Sequence, residues 1–361
     1  MTLLWLSWRD INNPQAGGAE RVAIEIARRF VKENHKVYIF SANFKNAKHK
    51  QNIKGINIIR RGNRLTCRIH AFFFYITNKN RFDLVIDEIN TLPFFSPLYA
   101  NGKNITIIHQ LAREYWFTQV IWPLSLIGYV LEPIYLRLYR HTPTIVISRS
   151  TQKDLTKLGF KNTFVTKPGI NIKSTFPSKK ANLILFIGRL TPAKQVVDAI
   201  RAFKLIVNIL PSYRLLVVGR GDQKYTQELK SLTHKLKLQQ SVKFTGFITE
   251  NLKVSLLKKA KIVMIPSLRE GWNLVATEAN ATGAVPVAYN VPGLRDSIKN
   301  GQTGLLVKPS HQELAKSTLS LLKNEQTRYK IARRGYNWSK NFNWENCYKD
   351  FKQIIARSRS A

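Results

Sequence analysis

The sequence predicts an α/β chain built on two doubly wound, mostly parallel sheets. Three observations point to it. Short apolar runs alternate with 3.6-residue helical patterns from one end to the other. The runs form two series of six, at 3–7, 37–41, 56–59, 84–87, 105–109 and 145–148, then at 183–188, 215–219, 242–246, 262–265, 285–288 and 305–307. Between the series lies 173–182, which mixes Pro, Ser and Lys as a linker does. The expected organisation is two Rossmann-like domains, residues 1–175 and 176–335, facing across a cleft with ligands between their carboxyl edges, and a C-terminal helical piece over 336–361.

Composition sets the outer bounds. A chain of 361 residues with 44% hydrophobic and 11% aromatic content has ample core for two globular domains. Two cysteines, Cys67 and Cys347, lie far apart with no metal-ligand spacing, which suits a reducing cytoplasm. The net charge is +37, and it is spread evenly: 26 Lys and Arg against 10 acids in 1–175, 27 against 9 in 176–335, and 5 against 2 in 336–361. Uniform positive charge implies attraction to polyanions, whether membrane, nucleic acid or phosphorylated substrate. No zinc finger, basic zipper or aromatic RNA-binding motif is present, so no specific nucleic-acid partner is expected.

Taken in order, MTLLWLSWRD lacks a basic region before its apolar run and lacks a cleavage site, and reads as the first strand. The loop NNPQAGG follows. Gly17 and Gly18 open a helix whose apolar stripe is Ala19, Val22, Ala23, Ile26, Ala27 and Phe30. Glycine lets a backbone approach a ligand closely, and a helix start favours anions. His109 ends the fifth run, with Arg113 one turn on. Residues 117–139 carry only Glu132 and Arg137 as charges, and Pro123 and Pro133 break them too often for a membrane span. They read either as a buried helical hairpin or as a surface dipping into a bilayer interface, with Trp116, Trp122 and Tyr129 as headgroup anchors.

In the second series, Gly188 and Arg189 end the first strand and Lys194 follows in GRLTPAK, placing two cations at a strand end. Residues 266–295 are the most informative stretch. The strand 262–265 ends, Pro266 and Gly271 mark a turn, and a helix should begin near Trp272 or Asn273. A diphosphate held by the N–H groups of Asn273 and Leu274 puts its ribose near Glu278, about 6 Å along the axis. Glu270, before the helix, faces whatever hangs from the far phosphate. Phosphates, ribose and a third group are the parts of a nucleotide sugar. The tail from Gly335 on offers Phe342, Trp344, Tyr348 and Phe351 as packing anchors.

The pair Glu270 and Glu278, with GGAERVAIEIARRF, IGRLTPAKQ, VVGRGD and FTGFI in order, resembles glycosyltransferase family 4, the retaining group 1 enzymes of the GT-B fold. The resemblance covers nearly the whole chain. It implies metal-independent hexosyl transfer from a UDP- or GDP-linked sugar, with no cofactor, to a hydroxyl acceptor such as a lipid-linked or cell-surface glycan precursor. It places Glu270, His109, Arg189 and Lys194 in catalysis, His109 beside the transferred sugar and the two cations at the leaving diphosphate. Gly17, Gly18, Gly188, Asn273, Leu274 and Glu278 would bind substrate. It also implies that the C-terminal tail packs back on the N-terminal domain. The sequence departs from the family pattern at Asn273, where a second glycine is common, and at Pro292-Gly293. The Asn273 side chain is expected to narrow the donor site. No second carboxylate pairs with Glu270 as in a glycosidase. The expected place of action is the cytoplasm, at the inner face of the plasma membrane, on anionic lipid. Two rival readings stand beside this one: a transferase of the same fold acting on a soluble sugar or sugar phosphate, and a non-catalytic basic protein binding membrane or RNA.

Overall fold

A computed structural model describes residues 1–100, 102–177 and 179–360. Ser178, within the expected linker, and Ala361, at the end of the C-terminal piece, lie outside the described residues. The chain divides into two compact units, one of residues 1–169 and 344–361, the other of residues 170–343.

The first unit holds one eight-stranded sheet: β1 (Thr2–Leu6), β2 (Lys36–Ser41), β3 (Lys50–Ile53), β4 (Ile56–Arg60), β5 (Leu84–Ile89), β6 (Asn104–Ile108), β7 (Thr144–Val146) and β8 (Thr163–Val165), in the order β3-β4-β2-β1-β5-β6-β7-β8. Every pairing is parallel except β3 with β4. The direction of winding reverses between β1 and β5, the place where open α/β sheets gather ligands beyond their carboxyl ends. The helices are α1 (Gly18–Lys32), α2 (Cys67–Asn78), α3 (Glu114–Gln119), α4 (Leu124–Leu136) and α5 (Arg149–Lys157). α1 seals one sheet face through Val22, Ile26 and Phe30, packed with Leu3 and Trp5. α2 and α4 cover the other. α2 packs Ala71 and Tyr75 with Val85, and α4 packs Tyr135 and Leu136 with Ile89. Val85 and Ile89 are four apart on β5, hence on one face.

The second unit repeats the plan with six parallel strands, β9 (Leu183–Ile187), β10 (Arg214–Val218), β11 (Val242–Gly246), β12 (Ile262–Ile265), β13 (Val285–Tyr289) and β14 (Leu305–Val307), ordered β11-β10-β9-β12-β13-β14. Its winding reverses between β9 and β12. Its helices are α6 (Val196–Val207), α7 (Gln223–Lys235), α8 (Glu250–Lys259), α9 (Leu274–Ala281), α10 (Leu294–Ser297), α11 (His311–Lys323) and α12 (Glu325–Ser339). The last helix, α13 (Trp344–Ser360), belongs to the first unit. It buries Trp344, Tyr348, Phe351 and Ile354 against the α1 face, with the Phe30 and Tyr348 rings 4.9 Å apart. Of the four expected anchors, Phe342 goes elsewhere: its ring lies 5.3 Å from Trp272 and 4.9 Å from Trp338, inside the second unit.

The stretch 117–139 departs from the buried-hairpin reading, and the surface it leaves open uses other side chains than two of the three expected anchors. α4 points Ser125, Gly128 and Glu132 inward and Ile127, Val130 and Ile134 outward, so it is not a buried hairpin. Trp116 is 8% exposed because Gly128 leaves room for its ring: a Cβ at Gly128 would sit 2.3 Å from it. Tyr129 is half-buried, and its hydroxyl accepts from Arg113 at 2.7 Å. Only Trp122 of the three expected anchors is exposed, at 78%. Among the described residues, no helix is long and apolar enough to cross a membrane.

Candidate active site

In the second unit, the loops that leave β9 and β12 meet at the reversal of winding. Leu268 N–H donates to the Ala193 carbonyl at 3.0 Å, which ties one loop to the other. Lys194 then reaches Glu270, its Nζ hydrogen-bonded to Oε1, and Asn273 Nδ2 donates to the same oxygen at 2.9 Å. Glu270 is buried. Burial pushes its carboxyl up, but Lys194 and the hydrogen bonds from Lys194, Ser267 and Asn273 outweigh this and hold it below the usual carboxylate range. The result is a carboxylate kept ionised in a dry setting, a strong acceptor for sugar hydroxyls.

The turn into α9 follows from two residues. Asn273 has φ +70°, the left-handed region that glycine occupies freely and asparagine tolerates better than most. This accounts for the family's glycine at the position. The side chain has two fixed partners: Oδ1 caps Ala276 N–H at 3.0 Å, while Nδ2 braces Glu270 at 2.9 Å. Leu274 opens the helix, and the Leu274 and Val275 N–H groups are left without intrahelical partners, as first-turn donors are. Gly293, at φ +81°, is required by closeness: a Cβ there would lie 2.0 Å from the Glu270 carbonyl. Glu270 N–H in turn donates to the Pro292 carbonyl at 3.0 Å, so the Pro292-Gly293 departure still supports Glu270.

Glu278 is on α9 as expected, but it is held by Lys253 of α8, whose Nζ donates at 2.8 Å and also meets Glu250 at 3.0 Å. Burial pulls the Lys253 ammonium down, and the two carboxylates more than offset it, leaving it raised. Gly188 follows β9, with its N–H on the Val218 carbonyl at 2.9 Å. Its neighbour must be small too, since a Cβ on Gly219 would lie 1.8 Å from the Gly188 carbonyl oxygen. Arg189 is half-buried at the same strand end.

The first unit carries His109, Gly17 and Gly18. His109 lies one residue past β6 and is buried. Its Nε2 is 2.9 Å from Glu88 Oε1, and Glu88 Oε2 accepts from Trp5 Nε1 at 2.7 Å. A ring proton on Nε2 satisfies the Glu88 carboxylate, and in that neutral tautomer Nδ1 is an acceptor. Nδ1 has no hydrogen-bond partner among the described residues. Arg113, at φ +35°, is turned onto the Tyr129 ring, 4.0 Å away. Gly17 caps α1, but its N–H is already taken by Glu20 at 2.6 Å, and Arg9 neutralises Glu20 at 2.8 Å. The anion-binding character expected of this helix start is therefore shared with a resident carboxylate.

The structure thus brings Lys194, Glu270 and Asn273 together, with Gly188 and Arg189 at the end of β9 and Leu274 at the start of α9. Three partners went unnoticed in the sequence: Lys253, Glu88 and Ser267. Glu88 alone left a signal, a charge at the end of an apolar run.

Comparison with known proteins bears on the family and the fold. The family described as glycosyl transferases group 1 matches residues 166–338, and glycosyltransferase family 4 matches residues 16–174. The chain belongs to the family 4, group 1 glycosyltransferases. A D-inositol 3-phosphate glycosyltransferase of Corynebacterium efficiens is 31% identical over 186 residues, 50% of this chain and 44% of that protein. Matches to two archaeal glycosyltransferases of Methanocaldococcus jannaschii cover 58% and 33% of the relative's length, so the chain spans only part of these relatives. Among solved structures, sucrose-phosphate synthase from Thermosynechococcus elongatus superposes with a TM-score of 0.82 at 19% identity, covering 99% of both chains. Anabaena HepE in complex with UDP-glucose gives 0.76 at 20% identity over all of both chains. WaaG, a glycosyltransferase involved in lipopolysaccharide biosynthesis, gives 0.77 at 17% identity over 98% of this chain and 99% of that one. These establish the GT-B fold.

Proposed function

We propose that this chain transfers a hexosyl group from a UDP- or GDP-linked sugar to a hydroxyl of a lipid-linked or cell-surface glycan precursor, with retention and without a metal. The observation that carries this reading is the Lys194–Glu270–Asn273 cluster at the winding reversal of the second sheet. Glu270 accepts from the hydroxyls of the transferred sugar. The first-turn N–H groups of α9 and the cations Arg189 and Lys194 meet the diphosphate, and they stabilise the charge that grows as the anomeric C–O bond breaks. The acceptor oxygen bonds to the anomeric carbon on the face the diphosphate leaves, and its proton passes to a departing phosphate oxygen. Glu278, steadied by Lys253, takes the ribose hydroxyls. His109 presents Nδ1 to a sugar hydroxyl. HepE, a relative in fold, binds UDP-glucose, which supports this donor class.

A second reading, a soluble phosphorylated acceptor, is favoured by two similar proteins, the inositol 3-phosphate glycosyltransferase and sucrose-phosphate synthase. The deciding experiment is thermal shift against UDP-, GDP- and ADP-sugars, then transfer to lipid-linked and soluble acceptors in excess EDTA with NMR of the product. One UDP- or GDP-sugar should raise the melting temperature, and an α-linked donor should give an α-product. Silence from every nucleotide sugar, a β-product, or a strict demand for Mg²⁺ would each overturn the corresponding part.

A further inference from the structure

The outer surface of the first unit is unusual for a protein in water. Among the described residues, 15 of the 22 large apolar side chains that stand exposed fall in two short stretches, 65–76 and 117–138. A surface of scattered single leucines would need no explanation, whereas this concentration does. α4 is turned inside out. It keeps Ser125 and Glu132 against the core, while Ile127, Val130, Ile134 and, beyond the helix, Leu138 face out at helical spacing. Glu132 explains the orientation: it accepts from the Ala112 and Arg113 N–H groups and from Trp116 Nε1, so the one acid of the stretch is spent inside. α2 does the same on a smaller scale, with Tyr75 inward and Ile69, Phe73 and Ile76 outward.

The two helices are neighbours on one sheet face. Asp87 of β5 accepts from Tyr139 Oη, just past α4, at 2.6 Å. Arg68 of α2 donates to the Leu92 carbonyl at 2.7 Å, and Tyr135 of α4 donates to the Thr91 carbonyl at 2.8 Å. One short segment therefore joins them. The ends of these stretches are predominantly basic: Arg61, Lys79 and Arg81 around α2 and Arg137 and Arg140 after α4 are exposed, against two exposed acids, Asp83 and Glu114.

We propose that the outward faces of α2 and α4 form one platform that inserts into the interfacial zone of an anionic lipid bilayer. An apolar centre with a basic rim matches acyl chains under anionic headgroups, and Trp122 sits where an interfacial anchor would. A second copy of the chain fits poorly, since pairing these faces would bring two basic rims together. The inference rests on the proposed function only in giving the docked enzyme a lipid-linked acceptor; docking itself requires no catalysis.

Flotation of the full chain with vesicles of phosphatidylcholine and phosphatidylglycerol at roughly 7:3 tests it, with pure phosphatidylcholine as control. Wild type should float with the anionic vesicles, and a measurable fraction should remain at high salt, because apolar insertion is not screened. Ile127→Glu with Ile134→Glu, and separately Phe73→Glu, should each lower the bound fraction at least tenfold with unchanged melting temperature. Wild type that stays unbound, or variants that float like wild type, would sink the platform. So would a dimer on light scattering that these substitutions dissolve, which would make the face a self-interface. The nucleotide-sugar thermal shift, run on the same samples, separates loss of docking from loss of the proposed transfer reaction.

Discussion

Glu270 and Lys194 lie 76 positions apart and act through one contact. Each holds the other's charge in a buried place, so removing either leaves an uncompensated ion. Glu270→Gln and Lys194→Ala should each lower kcat about a hundredfold, and the double variant should lose little more than either alone. Steady-state kinetics of the four proteins would show this; strictly multiplicative losses would mean independent roles. The pair also sets a pH limb. The folded carboxyl lies below its ordinary value, so its stabilising contribution is complete above that ordinary value and is lost as pH falls through the lowered one. In Lys194→Met, burial is opposed only by the Ser267 and Asn273 hydrogen bonds, and the acid limb of activity should move to higher pH. Asn273 separates backbone from side-chain demands. Asn273→Gly keeps the φ of +70° accessible and should retain the fold, with a modest loss from the missing brace on Glu270. Asn273→Ala loses the cap and pays the left-handed strain, about 1–3 kcal/mol, readable as a drop in chemical stability.

At the scale of elements, α13 is the piece whose loss the first unit could not absorb. It fills the α1 face of the first sheet with Phe351 fully buried and stacked 6.4 Å from Trp5. Phe351→Ala should cost about 3–5 kcal/mol and lower the melting temperature of that unit by several degrees. A negligible change in melting would show that α13 is peripheral to the core. The elements also show where pattern reading stops. The continuous apolar runs LLWL, LVI and IVMI are legible because a doubly covered parallel strand is apolar on both faces. β3, with sequence KQNI, and the three-residue β8 were missed, since edge strands are half-exposed and carry no run to read. Helical periodicity in 124–136 marks a helix but does not say which side faces the core, and α4 chose the polar one.

Over the whole molecule, the charge of +37 is a self-repulsion distributed on both units. Raising salt from about 0.02 to 0.3 M should therefore raise the melting temperature, as screening relieves repulsion faster than it weakens surface ion pairs such as Lys352–Glu33. Calorimetry at both salts checks this, and a falling melting temperature would show that favourable ion pairs outweigh the excess charge.

Local pattern in the sequence is enough for the two-sheet α/β class, the loops after β9 and β12 that carry Lys194 and Glu270, the start of α9, and the family. All of these are written in local pattern: apolar runs, turn residues and short motifs whose spacing survives without knowing what packs against what. The tertiary structure alone decided the partners. Lys253 on Glu278, Glu88 and Trp5 around His109, and Glu20 on Gly17 depend on which chain segments become neighbours, and nothing in a linear pattern couples position 88 to position 109. Trp116 and Trp122 make the same point within one short segment. Both are tryptophans in an apolar setting, and only the space left by Gly128 and the hydrogen bond to Glu132 draws the first inward while the second stays in the open.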